Sequence, residues 1–194
     1  MKHLLFITGR PSIGKTTVLL NAANELKNKG YRIGGMLSRD VREKGTRIGF
    51  EIVNFTTGQR GWLAHVNQPT GPQVSKYRVN LNDLDQIGVE AVRSALKDAE
   101  VVVIDEIGPM ELFSSAFKQA IKDAIDSQKL VLGVIHHSAH DPIINSIKNR
   151  NDMEIFEATM ENRQQLHNLL IQKAIQFLRE KKLAESHNNP IHEG

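Results

Sequence analysis

Two short stretches of this chain combine residue types at spacings that suit chemistry. Residues 9 to 16 read Gly-Arg-Pro-Ser-Ile-Gly-Lys-Thr, an unbroken match to G-x-x-x-x-G-K-[ST]. In such a loop Gly9 and Gly14 let the backbone curl so that successive N–H groups face phosphate oxygens. The start of the following helix adds partial positive charge at the same point. Lys15 suits the β- and γ-phosphates and the Thr16 hydroxyl suits Mg²⁺. The loop residues Gly9, Arg10, Pro11, Ser12, Ile13, Gly14, Lys15, Thr16 and Thr17 are therefore expected to contact a nucleoside triphosphate. An apolar run, Leu4 to Thr8, precedes them and a helical pattern follows, which is the context the motif requires.

The second stretch is Val101 to Ile104, a continuous apolar run ending in Asp105-Glu106. Asp105 at the end of a buried strand suits a Mg²⁺ ligand, and Glu106 beside it suits the group that positions a water for in-line attack. Glu111 is a second acid that fits either a metal-bound water or a helix N-terminus. Charge develops on the phosphoryl oxygens during transfer, and an inserted arginine there is worth about 10³ to 10⁵ in rate. Arg10, Arg42, Arg47, Arg150 and Arg163 are the candidates, with Arg47, Arg150 and Arg163 retained as nucleotide contacts. His136, His137 and His140 lack a third, non-adjacent metal ligand and read as polar residues at a strand end, His136 being able to meet phosphate or a water. Trp62 reads as packing. Asn149 to Asp152 has Arg where a guanine-reading Asn-Lys-x-Asp has Lys, and is set aside.

These groups need a frame. Strands are expected at about 3–8, 31–36, 101–104, 130–135 and 153–156, and helices at about 15–29, 82–98, 111–127, 142–148 and 161–182. Between 31 and 66, alternation such as Ile48, Phe50, Ile52 and turns at 43–46 and 56–59 predict an antiparallel meander, its last strand over 60–66. Residues 67–76 carry Pro69, Gly71 and Pro72 and read as a loop. Helices alternating with apolar strands imply an α/β three-layer sandwich, mainly parallel, with added antiparallel strands from the meander. Ligands of such sheets bind at the carboxyl ends of the strands, where Thr8, Asp105 and His136 would lie.

A chain of 194 residues suits one domain, expected over 1–183, with a polar, disordered tail over 184–194. There is no cysteine, in keeping with a reducing compartment, and no apolar run approaches the ~20 residues of a membrane span. A cytoplasmic monomer with no membrane partner is expected. The net charge of +3 and pI near 9.2 come from dispersed Lys and Arg, so a nucleic-acid partner is not indicated.

Beyond the two motifs, Val103-Ile104-Asp105-Glu106-Ile107-Gly108-Pro109-Met110-Glu111-Leu112 resembles the signature of the small P-loop nucleoside-triphosphatases of archaea, bacteria and animals, whose animal member is called cancer-related nucleoside-triphosphatase. Val41-Arg42, Gly45, Arg47, Gly49 and Phe50 are similar to that family's meander. Tyr77, Val79 and Leu81, Phe156 and Glu161-Asn162-Arg163 extend the resemblance over about residues 3 to 178. It implies a P-loop α/β fold with extra antiparallel strands, Mg²⁺-dependent hydrolysis of ATP, GTP and other triphosphates to the diphosphate and phosphate, and nucleotide contacts over Gly9 to Thr16 and Val103 to Met110. Two departures stand out. Ser12 replaces a glycine, preceded by Arg10-Pro11, and costs roughly 1–2 kcal/mol if that position needs positive φ; Pro109 stands where a Lys is common.

Three readings follow. The first is a Mg²⁺-dependent nucleoside-triphosphatase with intrinsic turnover on the order of 10⁻⁴ to 10⁻² per second unless an arginine is inserted. The second is a small-molecule or polynucleotide kinase on the same scaffold, which needs an acceptor pocket. The third is a nucleotide-dependent switch whose turnover rises when a partner binds.

Overall fold

Successive residues of the central strands point to opposite sides of the sheet, and both sides are covered. Leu4 and Phe6 of β1 (Leu4–Thr8) pack into one helix layer, while Leu5 and Ile7 pack into the other. Val102 and Ile104 against Val101 and Val103 repeat this in β7 (Val101–Ile107). Continuous apolar runs are what a parallel strand buried on both faces requires. The computed structural model describes residues 1–188.

The order across the nine-stranded sheet is β5-β6-β4-β3-β2-β7-β8-β1-β9. Here β2 is Ile33–Glu43, β3 Thr46–Asn54, β4 Arg60–His65, β5 Gln73–Val74, β6 Tyr77–Val79, β8 Leu130–Ile135 and β9 Met153–Glu157. The strands β2, β7, β8, β1 and β9 pair in parallel, and β3, β4, β6 and β5 extend the sheet antiparallel from β2. One layer holds α1 (Lys15–Asn28) and α6 (Arg163–Asn188); the other holds α3 (Glu90–Asp98), α4 (Ser115–Asp126) and α5 (Pro142–Lys148). This is the expected sandwich with its meander.

Several expectations change in detail. The helix expected over 82–98 begins as a short α2 (Leu81–Asp83), passes through a π-helical turn at Leu84–Val89 and resumes as α3. Asn80 caps it, its side chain accepting from the Asp83 N–H. The next helix starts later than expected: Ser114 is its cap, accepting from the Phe117 N–H at 2.9 Å, and Glu111–Phe113 form a separate 3₁₀ turn. Within the 67–76 loop, Gln73 and Val74 pair with Arg78 and Tyr77 as a small hairpin. The tail expected from 184 is helical as far as Asn188; its remainder, 189–194, lies outside the described residues.

One feature of β2 matters for the site. Its parallel pairing with β7 covers only Ile33 to Met36, yet the strand runs on to Glu43, hydrogen-bonded to β3. The β2–β3 hairpin therefore overhangs the carboxyl edge of the parallel sheet and walls one side of the space there.

Candidate active site

The loop after β1 takes the shape the motif requires. Gly9 has φ 139° and Gly14 φ 100°, values that L side chains rarely adopt. A Cβ on Gly9 would also come within 2.7 Å of the Ala158 carbonyl oxygen. Ser12 has φ 63°, so a residue with a Cβ occupies the left-handed region, at a cost of about 1–2 kcal/mol. Gly14 begins α1 with no side-chain cap, which leaves the first N–H groups of that helix for a ligand. Lys15 is buried, and its Nζ donates to the Gly9 and Arg10 carbonyl oxygens at 3.0 and 3.1 Å.

Strand order sets the rest. β8 lies between β1 and β7, so Asp105 sits two strands from the loop. The side chains still meet: Thr16 Oγ1 donates to Asp105 Oδ1 at 3.2 Å. Asp105 is 1% exposed. Its other oxygen, Oδ2, and Glu106 Oε1 are buried without a hydrogen-bond partner. The pairing of β7 with β8 skips from Ile104 to Ile107 around these two residues. Their peptide bond is cis.

Burial dominates the electrostatics. It pushes the Asp105 carboxyl up to about 7, with the Thr16 hydrogen bond pulling the other way. It raises Glu106, opposed by Lys15. Glu111, 5% exposed, is pushed up to about 8 by burial and then by the neighbouring Glu106 and Asp105. It turns inward before α4 begins and lines the same space, and its carboxyl accepts from the backbone N–H groups of Gly108 and of Glu111 itself, as a residue at a helix start does. Two buried carboxyls, Asp105 and Glu111, and the half-buried Glu106 lie close together, and the Lys15 charge acts on Asp105 and Glu106. Among the described residues no three such side chains come close enough to enclose an ion; Thr16 Oγ1 and Asp105, with its orphaned Oδ2, offer two oxygen donors, which fit a Mg²⁺ that keeps most of its waters.

Lys15, Thr16, Glu106 and Glu111 open on a cleft of about 710 Å³, with Asp105 behind its wall. Arg10, Pro11, Ser12, Gly14, Lys15 and Thr16 form its inner wall, with Glu106, Gly108, Pro109 and Met110 beside them and His136 and His137 at the end of β8. His136 is held neutral by burial first and then by the Lys15 charge. Not every expected contact reaches this space. Val103 packs into the α1/α6 layer and Ile104 and Ile107 into the opposite one, so these side chains hold the strand instead of lining the cleft. Ile13 packs against the α1/α6 layer and Thr17 is exposed.

The three retained arginines separate. Arg163 Nη1 lies 3.8 Å from where a Cβ on Gly14 would stand, beside the loop. Arg47 lines the cleft on the overhanging hairpin. Arg150 is removed from the list. It sits at the opposite edge of the sheet, bonded to Asp152 at 2.9 Å by both Nε and Nη2 and to Asp126 at 2.7 Å. Trp62 packs on His65, ring centroids 4.4 Å apart. Residues missed from the sequence include Ser38, Asp40, Leu63 and Val74, which line the cleft. They come from strands whose convergence only the antiparallel pairing creates. The alternation of β3 gave faces, and nothing in the local pattern said which face met the P-loop.

A strand, a glycine loop whose lysine is buried at the start of a helix, and a carboxylate pair two strands away define a P-loop nucleotide-binding protein of the α/β class. The family model described as NTPase matches residues 4–171, and the chain belongs to that family. It is 44% identical to the nucleoside-triphosphatase THEP1 of Thermofilum pendens over 158 residues, covering 81% of this chain and 87% of that one. It is 38% identical to the protein of the same name from Methanopyrus kandleri over 182 residues, 93% of this chain and all of that one. The crystal structure of THEP1 from Aquifex aeolicus superposes with a TM-score of 0.77 at 27% identity, covering 88% of this chain and 98% of that one. The solution structure of a human cancer-related nucleoside triphosphatase gives 0.75 at 34% identity, over 88% and 96%.

Proposed function

We propose that this protein hydrolyses nucleoside 5′-triphosphates to the diphosphate and phosphate, with Mg²⁺ as cofactor. The observation that carries the reading is the pair of orphaned carboxylate oxygens, on Asp105 and Glu106, beside a formed P-loop. The names of the relatives support the same activity.

Backbone N–H groups of the loop, those of Gly14, Lys15 and Thr16 at the start of α1 above all, hold the β- and γ-phosphates. Lys15, whose ammonium already sits inside the loop, gives its charge to the same oxygens. Thr16 Oγ1 and Asp105 would hold Mg²⁺, which when bound neutralises developing phosphoryl charge. Glu106 accepts a hydrogen bond from the attacking water and takes its proton; its raised pKa makes it a stronger base than a solvated glutamate. His136, neutral at the end of the strand between loop and carboxylates, is placed to donate to the γ-phosphate. Arg163 lies beside Gly14 and is the arginine of this chain best placed to meet phosphate from the α6 side. Backbone of Gly108 to Met110 borders the same phosphate.

The test is phosphate release from ATP, GTP, CTP and UTP with Mg²⁺ and no acceptor. Glu106→Gln is expected to bind nucleotide with unchanged affinity and to turn over about 10²-fold or more slowly. Full activity in that variant would remove Glu106 from the mechanism.

A further inference from the structure

The cleft is longer than a triphosphate site needs. A triphosphate is a linear chain whose terminal γ group is the one that reaches Glu106. With its β- and γ-phosphates on the loop after β1, the nucleoside must leave in the opposite direction, away from β7. Yet the cleft continues past Glu106 under β2, β3 and β4. Three strand steps at about 4.8 Å each make this outer part about 14 Å wide. Only the γ-phosphate and whatever attacks it face that space. A single water needs about 30 Å³.

The outer part is built from complementary pieces. Phe50, Leu63, Val74 and Met110 give it apolar walls. Arg42 and Arg47 reach it from the overhanging hairpin; Asp40 meets them at 3.4 and 2.7 Å, and the Gly45 carbonyl oxygen also accepts from Arg42, at 3.1 Å. Arg47 lies over the Phe50 ring at 5.2 Å, a flat cationic shelf. Its Nε is buried with no hydrogen-bond partner. A buried guanidinium N–H without an acceptor is costly, and an anionic oxygen answers it.

We propose that this outer compartment binds a second ligand, a small organic anion with an aromatic or apolar body, on the side of the γ-phosphate from which it is attacked. The proposal rests on the reading that a triphosphate occupies the P-loop. The anionic group meets Arg47 and Arg42, and the body lies between Phe50, Leu63, Val74 and Met110. A ligand there excludes bulk water from the γ-phosphate without touching the P-loop.

Phenyl phosphate carries both required parts and serves as the probe. Calorimetry is run on the full chain saturated with Mg²⁺ and adenosine 5′-(β,γ-imido)triphosphate. Phenyl phosphate is expected to bind this complex one to one, with phenol and inorganic phosphate each at least ~10-fold weaker. In turnover assays it should lower kcat for ATP and leave KM unchanged. Arg47→Ala should weaken it by ~10-fold or more. Val74→Trp, which fills the compartment from an edge hairpin, should abolish its binding while the imido analogue binds as before; this second variant stands if the first loosens the hairpin. Displacement of the analogue by phenyl phosphate, lack of binding to the loaded protein at 10 mM (on the order of −2.7 kcal/mol), or binding indifferent to both variants would overturn the proposal alone. Failure of the analogue itself to bind would overturn the nucleotide reading and this proposal with it.

Discussion

At the amino edge of the parallel sheet Arg150 is held by two aspartates, whereas at the carboxyl edge Asp105 and Glu106 each keep a buried oxygen with no partner. Both edges belong to the same strands, and both concentrate ionisable groups. At the amino edge the charges are of both signs: Asp152 and Asp126 flank Arg150, and the Asp152 carbonyl receives the N–H groups of His3 and Leu4. The pairing ties the loop before β9 to the start of β1 and the end of α4. At the carboxyl edge three carboxyls lie close together, with the Lys15 charge acting on two of them, and Ser12 adds a left-handed residue. One edge is arranged for the folded state and the other for a ligand that is both cationic and anionic. His3 Nε2 is also without a partner at the amino edge, but at the carboxyl edge the orphaned atoms of Asp105 and Glu106 are neighbours and Arg47 Nε belongs to the same cleft, and that concentration marks where binding free energy is to be gained.

Mutations can break that contrast. The largest effect is expected from Lys15→Ala, which should reduce turnover by about 10²-fold or more and weaken nucleotide binding while leaving thermal stability near that of the parent; equilibrium binding and a melting curve check both halves. Arg150→Ala should do the reverse. It leaves two partly exposed aspartates without their cation and should cost about 0.5–1 kcal/mol of stability, with kcat and KM unchanged. A change in kcat in this variant would undo the separation of the edges. Asp105→Asn removes a buried, half-satisfied carboxyl, so denaturant unfolding of the ligand-free protein should give equal or higher stability, by up to about 1 kcal/mol, in an enzyme that no longer turns over. Ser12→Gly relieves the left-handed serine and should add about 1 kcal/mol or less, read as a small rise in Tm.

The amino edge also carries a pH signature. The Arg150 hydrogen bonds hold Asp152 below the ordinary carboxylate range, and burial holds His3 below 6.5. Both folded values are depressed, so the unfolded chain binds more protons and stability falls as pH falls. His3 contributes first, as pH drops from 6.5, and Asp152 adds its share below the ordinary carboxylate value of 3.8. In Arg150→Ala the Asp152 part of this acid loss should shrink, which urea midpoints measured from pH 7 down to pH 3 would read.

Much of this was legible in residue order. The P-loop and the Asp-Glu pair are local strings, and the two-sided burial of β1 and β7 follows from unbroken apolar runs. Local strings could not assign Arg150: it stands two residues before an aspartate, as a solvent-facing arginine might, and its second partner, Asp126, comes from another helix. Nor did they show the outer compartment, whose walls come from three strands brought together by pairing over tens of residues. The Gln73–Val74 strand exists only because Tyr77 and Arg78 are there to pair with it. The π turn at Leu84–Val89 widens the helix by i→i+5 bonding, but the buried Leu84, Ile87, Ala91 and Ala95 still fall three or four residues apart, so a periodic pattern reads straight through it.

The placement of β8 between β1 and β7 also makes the sheet a ruler. On the function proposed above, the phosphate-holding loop and Glu106 leave strands whose backbones are two strand widths, about 10 Å, apart, a gap that the Thr16 and Asp105 side chains close at 3.2 Å, and hydrogen-bonded strands do not stretch. A ligand seated on the loop is therefore measured by the number of its phosphates. On that reading the chain of a triphosphate would reach the carboxylates and that of the diphosphate would stop short, so that substrate would be told from product by length, against a scale the backbone itself keeps in register.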